Sequence, residues 1–368
     1  MNAPGPAAGG APLLELHDVA RTFDVSAPWL NRLIERRPRT LLHAVDGVSL
    51  AIERGETLGL VGESGCGKST VARMIVGLYP PTRGRIAFDG TVLAGDGAEA
   101  TPPAARRAAR RGMQMIFQDP YASLNPRWRV GDIVAEPIVA QAPGTPAGEI
   151  DARVAALLSE VGLAAADRVK YPHQFSGGQR QRISIARALS TEPRFLVCDE
   201  PTSALDVSVQ AQVLNLMREL QRRLGLTYLF ISHNLAVVHH VADRVGVMYL
   251  GRIVEIAATA RLFGRPQHPY TRMLLEAVPD LSSTGRERCA VAGEVPNPLD
   301  PPTGCAFHPR CPHADERCRR EAPALAPCSA GGEVACHGVA EGRLPPAPRI
   351  APAAAGSPGQ ASARANRL

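Results

Sequence analysis

Lysine is nearly absent from this chain. Lys68 and Lys170 are the only two, and every other basic residue is arginine. A net charge of +6 built this way reads as arginine-biased background, not as a nucleic-acid face, so no nucleic-acid partner is expected. The scarcity also makes Lys68 informative, because lysine persists where a compact ammonium is needed and a planar fork will not serve. Long apolar runs are missing too. None reaches the roughly 18 residues of a membrane span, so membrane association has to come through a partner. The opening MNAPGPAAGG lacks the basic cluster and apolar core of a signal peptide. A cytoplasmic setting is therefore expected. That setting argues against structural disulfides among the eight cysteines and raises the weight of a metal or cluster site.

What is present suits a soluble globular protein: 368 residues, 45% hydrophobic and 21% charged, enough for one large domain and a small one. Residues 1–12 are rich in Ala, Gly and Pro and are expected to be disordered. LLELHDVARTF at 13–23 alternates like a half-buried strand, and a polar, basic insertion follows at 27–40. Strands are predicted at 44–52 and 57–61, then a glycine-rich loop and a helix from residue 68 to 76. Residues 101–112 have helical spacing, 113–118 suit a buried strand, and 145–195 read as mostly helical. Strands at 195–199 and 226–232 flank a helix at 207–223. Such alternation implies a mostly parallel sheet covered on both faces. Residues 13–257 thus form the main domain. The stretch 258–338 is rich in Pro, Cys and charge, and 339–368 reads as a disordered tail.

The motifs carry the chemistry. GESGCGKS comprises Gly62, Glu63, Ser64, Gly65, Cys66, Gly67, Lys68 and Ser69, with Thr70 next. It follows an apolar strand and opens a helix, as a phosphate loop must. Glycines let backbone N–H groups turn towards phosphates, and the helix N-terminus adds its positive end. Lys68 is expected to reach the β- and γ-phosphates of ATP, and Ser69 to ligate Mg²⁺. FLVCDE ends a strand with two acids: Asp199 to hold Mg²⁺, Glu200 to act as general base on water. FSGGQRQR contains Ser176, Gly177, Gly178 and Gln179, and SALD contains Asp206.

Taken in this order, these motifs resemble the ATP-binding cassette family. The resemblance implies an α/β phosphate-loop NTPase with a mostly parallel core sheet and an antiparallel β subdomain. It also implies a helical signature subdomain at about 119–190 and a small cysteine-rich C-terminal domain. By resemblance, Ser176 to Gln179 contact ATP held by the opposite subunit. Phe23 stacks on adenine. Gln118 joins Mg²⁺ or the water to the membrane subunit, and His233 is the switch histidine beside the γ-phosphate. Asp206 communicates across a head-to-tail dimer. The family commonly has Asp after this histidine, where the chain has Asn234.

Within the family the chain is similar to the ATPase subunits of dipeptide and oligopeptide permeases. FQDPYASLNPR, YPHQFSGGQRQRISIARAL, HPYTRMLL and GCAFHPRCP carry that likeness. It implies a peripheral subunit on the cytoplasmic face of the membrane, partnered by a sister ATPase, two permease subunits and, indirectly, a peptide-binding protein. Residues 119–127 look like the surface that receives the permease. Importers for nickel or glutathione share the layout. Two rivals belong to other classes. One is a soluble cassette ATPase not linked to transport, for which neither a second cassette nor a coiled-coil insertion is visible. The other is a non-catalytic regulatory subunit, against which Asp199, Glu200 and His233 are all present.

In the tail, Cys305, Cys311, Cys318 and Cys336 have the form that this branch associates with a [4Fe–4S] cluster. Zinc, with a nearby His such as His337, and free thiols stay open. Cys289 and Cys328 lack pattern partners, although Cys328 could stand in for Cys336.

Overall fold

A computed structural model describes residues 11–28, 31–32, 38–277 and 293–345. Its first strand, β1 (Leu14–Asp24), buries Leu14 and Leu16 and then Val19, so the inward face changes parity. The cause is a bulge at Asp18, whose φ of 46° is left-handed. β1 pairs antiparallel with β2 (Leu41–Ile52), and α1 (Lys68–Ile75) follows β3 (Thr57–Val61). On its other side β1 pairs with β4 (Arg83–Phe88), which turns into β5 (Thr91–Gly95). Asp89 and Gly90 make that turn, with φ of 50° and 72°, the positive pair that a tight hairpin needs. This four-stranded sheet, in the order β2-β1-β4-β5, is the expected antiparallel subdomain.

The remaining helices and strands complete an eight-stranded sheet and its cover. α2 (Pro103–Arg111) precedes β6 (Met113–Ile116). α3 (Pro120–Ser123), α4 (Val130–Gln141), α5 (Ala147–Glu160) and α6 (Gly177–Leu189) form the helical subdomain. β7 (Phe195–Asp199), α7 (Val207–Leu224), β8 (Thr227–Ile231), α8 (Leu235–Val241) and β9 (Arg244–Tyr249) return the chain to the sheet. β6, β7, β8, β3 and β9 run parallel as neighbours in that order. Every residue of β3, β7 and β8 is buried, which is why these segments are mostly apolar instead of alternating, with Thr57, Asp199 and Thr227 the polar exceptions at their ends. α7 has the complementary pattern: Val213, Leu214, Met217 and Leu220 face inward, Asp206 caps the start, and Gly225 (φ 63°) ends it.

The C-terminal part joins this core. β10 (Arg252–Ala258) pairs antiparallel with β9 across Leu250-Gly251, and α9 (Thr259–Gly264) and α10 (Pro269–Glu276) follow. After α11 (Glu316–Arg320), the short strands β11 (Ala326–Pro327) and β12 (Glu333–Val334) extend the main sheet beyond β10. Phe307 packs edge-on against Tyr249 of β9, with ring centroids 5.3 Å apart, and against Tyr270 of α10 at 5.4 Å. The small domain expected from residue 258 thus shares the main hydrophobic core.

The tail boundary expected at 339 falls inside α12 (His337–Ala340). Folded chain continues past it because Arg343 pairs with Asp315, and Glu341 with Arg317. Phe307→Ala should lower the unfolding free energy by about 3–5 kcal/mol, read as a shift of the whole denaturant transition. A shift confined to a minor, separate transition would contradict the shared core. The expected disorder of 1–12 falls almost wholly outside the described residues, as do Cys289 and half of the 27–40 insertion.

Candidate nucleotide site

The phosphate loop is built so that only glycine fits at two positions. A Cβ on Gly62 would lie 2.2 Å from the Met248 carbonyl oxygen, and one on Gly67 (φ 106°) would lie 2.2 Å from that of Ala44. Gly65 opens to empty space, beside exposed Ser64. The loop is therefore braced at its base and open at its mouth. Lys68 is buried, and its ammonium donates to the carbonyls of Gly62 at 2.8 Å and Glu63 at 2.9 Å. These bonds close the loop around the lysine. α1 starts at Gly67 with no side-chain cap, so no capping side chain blocks the positive end of its dipole at the loop. Cys66 packs beneath, its thiol raised by burial.

The acids sit where the parallel strands end. Ser69 Oγ donates to Asp199 Oδ1 at 3.0 Å, bringing together two of the three residues expected to hold Mg²⁺. Burial holds the Asp199 carboxyl above its usual range. Glu200, next in the chain, has φ 48°, an uncommon conformation for a non-glycine residue and one that marks stored strain. Its carboxylate is gripped from two sides: Gln118 Nε2 donates at 2.9 Å, and His233 Nδ1 lies 3.0 Å away. A carboxylate can only accept, so Nδ1 carries the proton. Gln118, expected beside Ser69 and Asp199, here spends its amide nitrogen on Glu200. Asn234 caps α8 by accepting from the N–H groups of Ala236 and Val237, a role that Asp would fill equally.

The signature segment is a helix start. Ser176 Oγ accepts the Gln179 N–H at 3.4 Å, and Gln179 Oε1 accepts the Ser176 N–H at 3.0 Å, a reciprocal capping box. Gly178 has no room for a side chain, since a Cβ would meet Val209 Cγ1 at 2.3 Å. Val209 also donates its N–H to Asp206, 3.0 Å away, so the signature helix and Asp206 converge on one point. The turn after Gln118 rests on the same helix: Arg187 donates to the Ser123 carbonyl at 2.6 Å, and the Arg180 guanidinium lies 4.1 Å from the Tyr121 ring centroid.

Phe23, at the end of β1, meets Tyr79 edge-on at 5.3 Å, and the Arg21 guanidinium lies 4.6 Å from the Phe23 ring centroid. Sequence reasoning missed Arg21 and Tyr79; an aromatic that follows the phosphate-loop helix was the available signal for Tyr79.

Cys305, Cys311, Cys318 and Cys336 line one enclosed cavity of about 10 Å³, together with His268, His308, His313 and His337. Cys328 is elsewhere, its thiol 3.1 Å from the Gly331 carbonyl. Burial raises all four cavity thiols, Cys305 to about 11. As donors they suit a soft metal or a cluster. As placed they do not, since no group of three or more His, Cys, Asp or Glu among the described residues is positioned to hold a metal ion.

A phosphate loop on a parallel sheet, an acid pair at the strand ends and a serine-capped, glycine-led signature helix define an ATP-binding cassette ATPase. The ABC transporter family matches residues 45–203, and the C-terminal region of the oligopeptide/dipeptide transporters matches 254–318. The oligopeptide transport ATP-binding protein AppF of Bacillus subtilis is 47% identical over 90% of this chain and 98% of its own length. OppF of Escherichia coli is 49% identical over 85% and 92%, and the dipeptide transport protein DppF of Haemophilus influenzae 50% over 80% and 88%.

Among solved structures, cbiO1 of Clostridium perfringens, part of the ABC transporter complex cbiONQ, covers 69% of this chain and 91% of its own, with TM-score 0.57 and 28% identity. The dimeric ATP-binding cassette MJ0796, bound to ADP and Pi, covers 67% and 98%, with TM-score 0.56 and 25% identity. The chain belongs to the ABC transporter family. It hydrolyses ATP, and no helix among the described residues is long and apolar enough to cross a membrane.

Proposed function

We propose that this chain is one of the ATPase subunits that power import of di- and oligopeptides. The match of residues 254–318 to the oligopeptide/dipeptide transporter region carries the reading, and relatives named for peptide transport support it. The chain works on the cytoplasmic face of the membrane, paired head-to-tail with a sister ATPase and docked on two permease subunits that receive solute from a binding protein. The dimeric state of MJ0796 supports the pairing. Exposed Phe117, Tyr121 and Trp128, clustered in sequence after the last core residues of β6, are the surface offered to the permease.

In the proposed cycle the phosphate loop of one subunit and Ser176–Gln179 of the other enclose ATP. Ser69 and Asp199 would hold the Mg²⁺ that offsets phosphate charge. Glu200 takes the proton of the attacking water, and His233 keeps its carboxylate aimed. Phe23 stacks on adenine. Phe23→Ala should raise KM for MgATP about tenfold with kcat little changed, and Phe23→Tyr should restore it; an unchanged KM would remove Phe23 from the site.

Cys305, Cys311, Cys318 and Cys336 are proposed to hold a [4Fe–4S] cluster, with zinc as the alternative. The cavity must widen for either. Iron, sulfide and zinc analysis of anaerobically purified protein decides: about four irons per chain supports the cluster, and metal-free protein leaves free thiols.

Deleting this subunit from its host tests the transport role. Uptake of labelled di- and oligopeptides should fall to background, while uptake of nickel and glutathione is unaffected. The reverse pattern would reassign the solute.

A further inference from the structure

Residue 63 of the phosphate loop is held from the C-terminal region at both its main chain and its side chain. The Glu63 N–H donates to Tyr270 Oη at 3.0 Å. Arg310 donates through Nη1 and Nη2 to the two Glu63 carboxylate oxygens, at 2.8 and 3.0 Å. A two-pronged guanidinium–carboxylate pair of this kind fixes orientation as well as charge. It is also sheltered. The Arg310 side chain is 2% exposed and that of Glu63 23%, so the pair is screened far less than a surface ion pair.

Each holder is itself fixed. His268 Nδ1 accepts the Tyr270 N–H at 3.0 Å. Burial drives the His268 imidazole down to about 3, so it stays neutral and can accept. The N–H groups of Gln267 and His268 donate to the Glu255 carboxylate, both at 2.9 Å. On the other arm, the Arg310 guanidinium lies 5.7 Å from the Tyr249 ring centroid and 5.9 Å from that of Phe307. The grip ends at the catalytic loop, because the Glu63 carbonyl is one of the two that accept the Lys68 ammonium.

We propose that Arg310 and Tyr270 are positioning residues for ATP: acting through Glu63, they set the shape of the phosphate loop and so its affinity for nucleotide. This rests on the ATPase activity assigned above. It makes the region after residue 254 a working part of the nucleotide site. It also gives HPY and FHPRCP, which sequence reading used only as family markers, a physical role.

The test uses the full chain, with MgATP binding at equilibrium and ATPase rate against MgATP concentration. Arg310→Ala and Glu63→Gln should each raise Kd and KM about tenfold and leave kcat within about twofold. The double variant should be no worse than either single one, since both remove the same pair. Tyr270→Phe, which keeps the ring and loses the acceptor, should raise KM about threefold. Arg310→Lys, with the charge but not the fork, should fall between wild type and Arg310→Ala.

Should Arg310→Ala fail to fold, Glu63→Gln and Tyr270→Phe carry the test. Wild-type Kd and KM in those two, with unchanged thermal unfolding, would overturn the proposal. So would additive losses in the double variant, which would mean that the two residues act separately. A wild-type chain that binds no MgATP would instead remove the ATPase assignment on which all this stands.

Discussion

Glu200→Gln is expected to bind MgATP as tightly as wild type and to turn it over at least about 10²-fold more slowly, the usual contribution of a positioned general base. Gln keeps the size of Glu and can still face His233, but it cannot take a proton from water. The geometry argues for this residue over Asp199. Asp199 is buried and bonded to Ser69, whereas the Glu200 carboxylate is held by Gln118 at 2.9 Å and His233 at 3.0 Å, which aims it without covering it. Its left-handed backbone, φ 48°, is the kind of strain that a fold retains where orientation matters. Single-turnover hydrolysis with radiolabelled ATP, alongside a binding titration, checks it. A variant that keeps its rate would strip Glu200 of the role.

Lys68→Ala has the other large expected effect, and on a different quantity. The ammonium now ties the carbonyls of Gly62 and Glu63 together. Its removal leaves two loop carbonyls without a donor and the phosphates without their cation. MgATP affinity should fall at least about 100-fold and turnover should vanish at cellular ATP concentrations, an effect of about 2.7 kcal/mol or more. Equilibrium binding reads it directly. Because α1 is otherwise well packed through Val71, Ala72, Met74 and Ile75, the thermal transition should move little. Unchanged affinity would mean that phosphate is bound elsewhere.

The contrast between these residues and the missed ones shows what a sequence can carry. Lys68, Ser69, Asp199, Glu200 and Ser176–Gln179 were legible because loop, strand end and helix start impose residue types at fixed local spacing. Gly62 and Gly67 are glycine for a reason visible only in space, namely the carbonyls of Met248 and Ala44. β4 and β5 went unread, although Asp89-Gly90 is a hairpin signal. β11 and β12 were beyond reach because two-residue strands have no period. Arg310 and Tyr270 lie 247 and 207 residues from Glu63, and nothing local in FHPRCP or HPY shows that they face the phosphate loop. The four cysteines were legible as a set, and they do share one cavity. Their spacing in the chain did not reveal how closely that cavity would close.

The most direct test of the account is ATPase rate in the assembled transporter, in vesicles, with and without peptide-loaded binding protein. Peptide should accelerate hydrolysis by wild type, and Glu200→Gln should abolish both hydrolysis and peptide accumulation. A rate indifferent to peptide, but raised by nickel or glutathione, would contradict the peptide-import reading and leave only the ATPase.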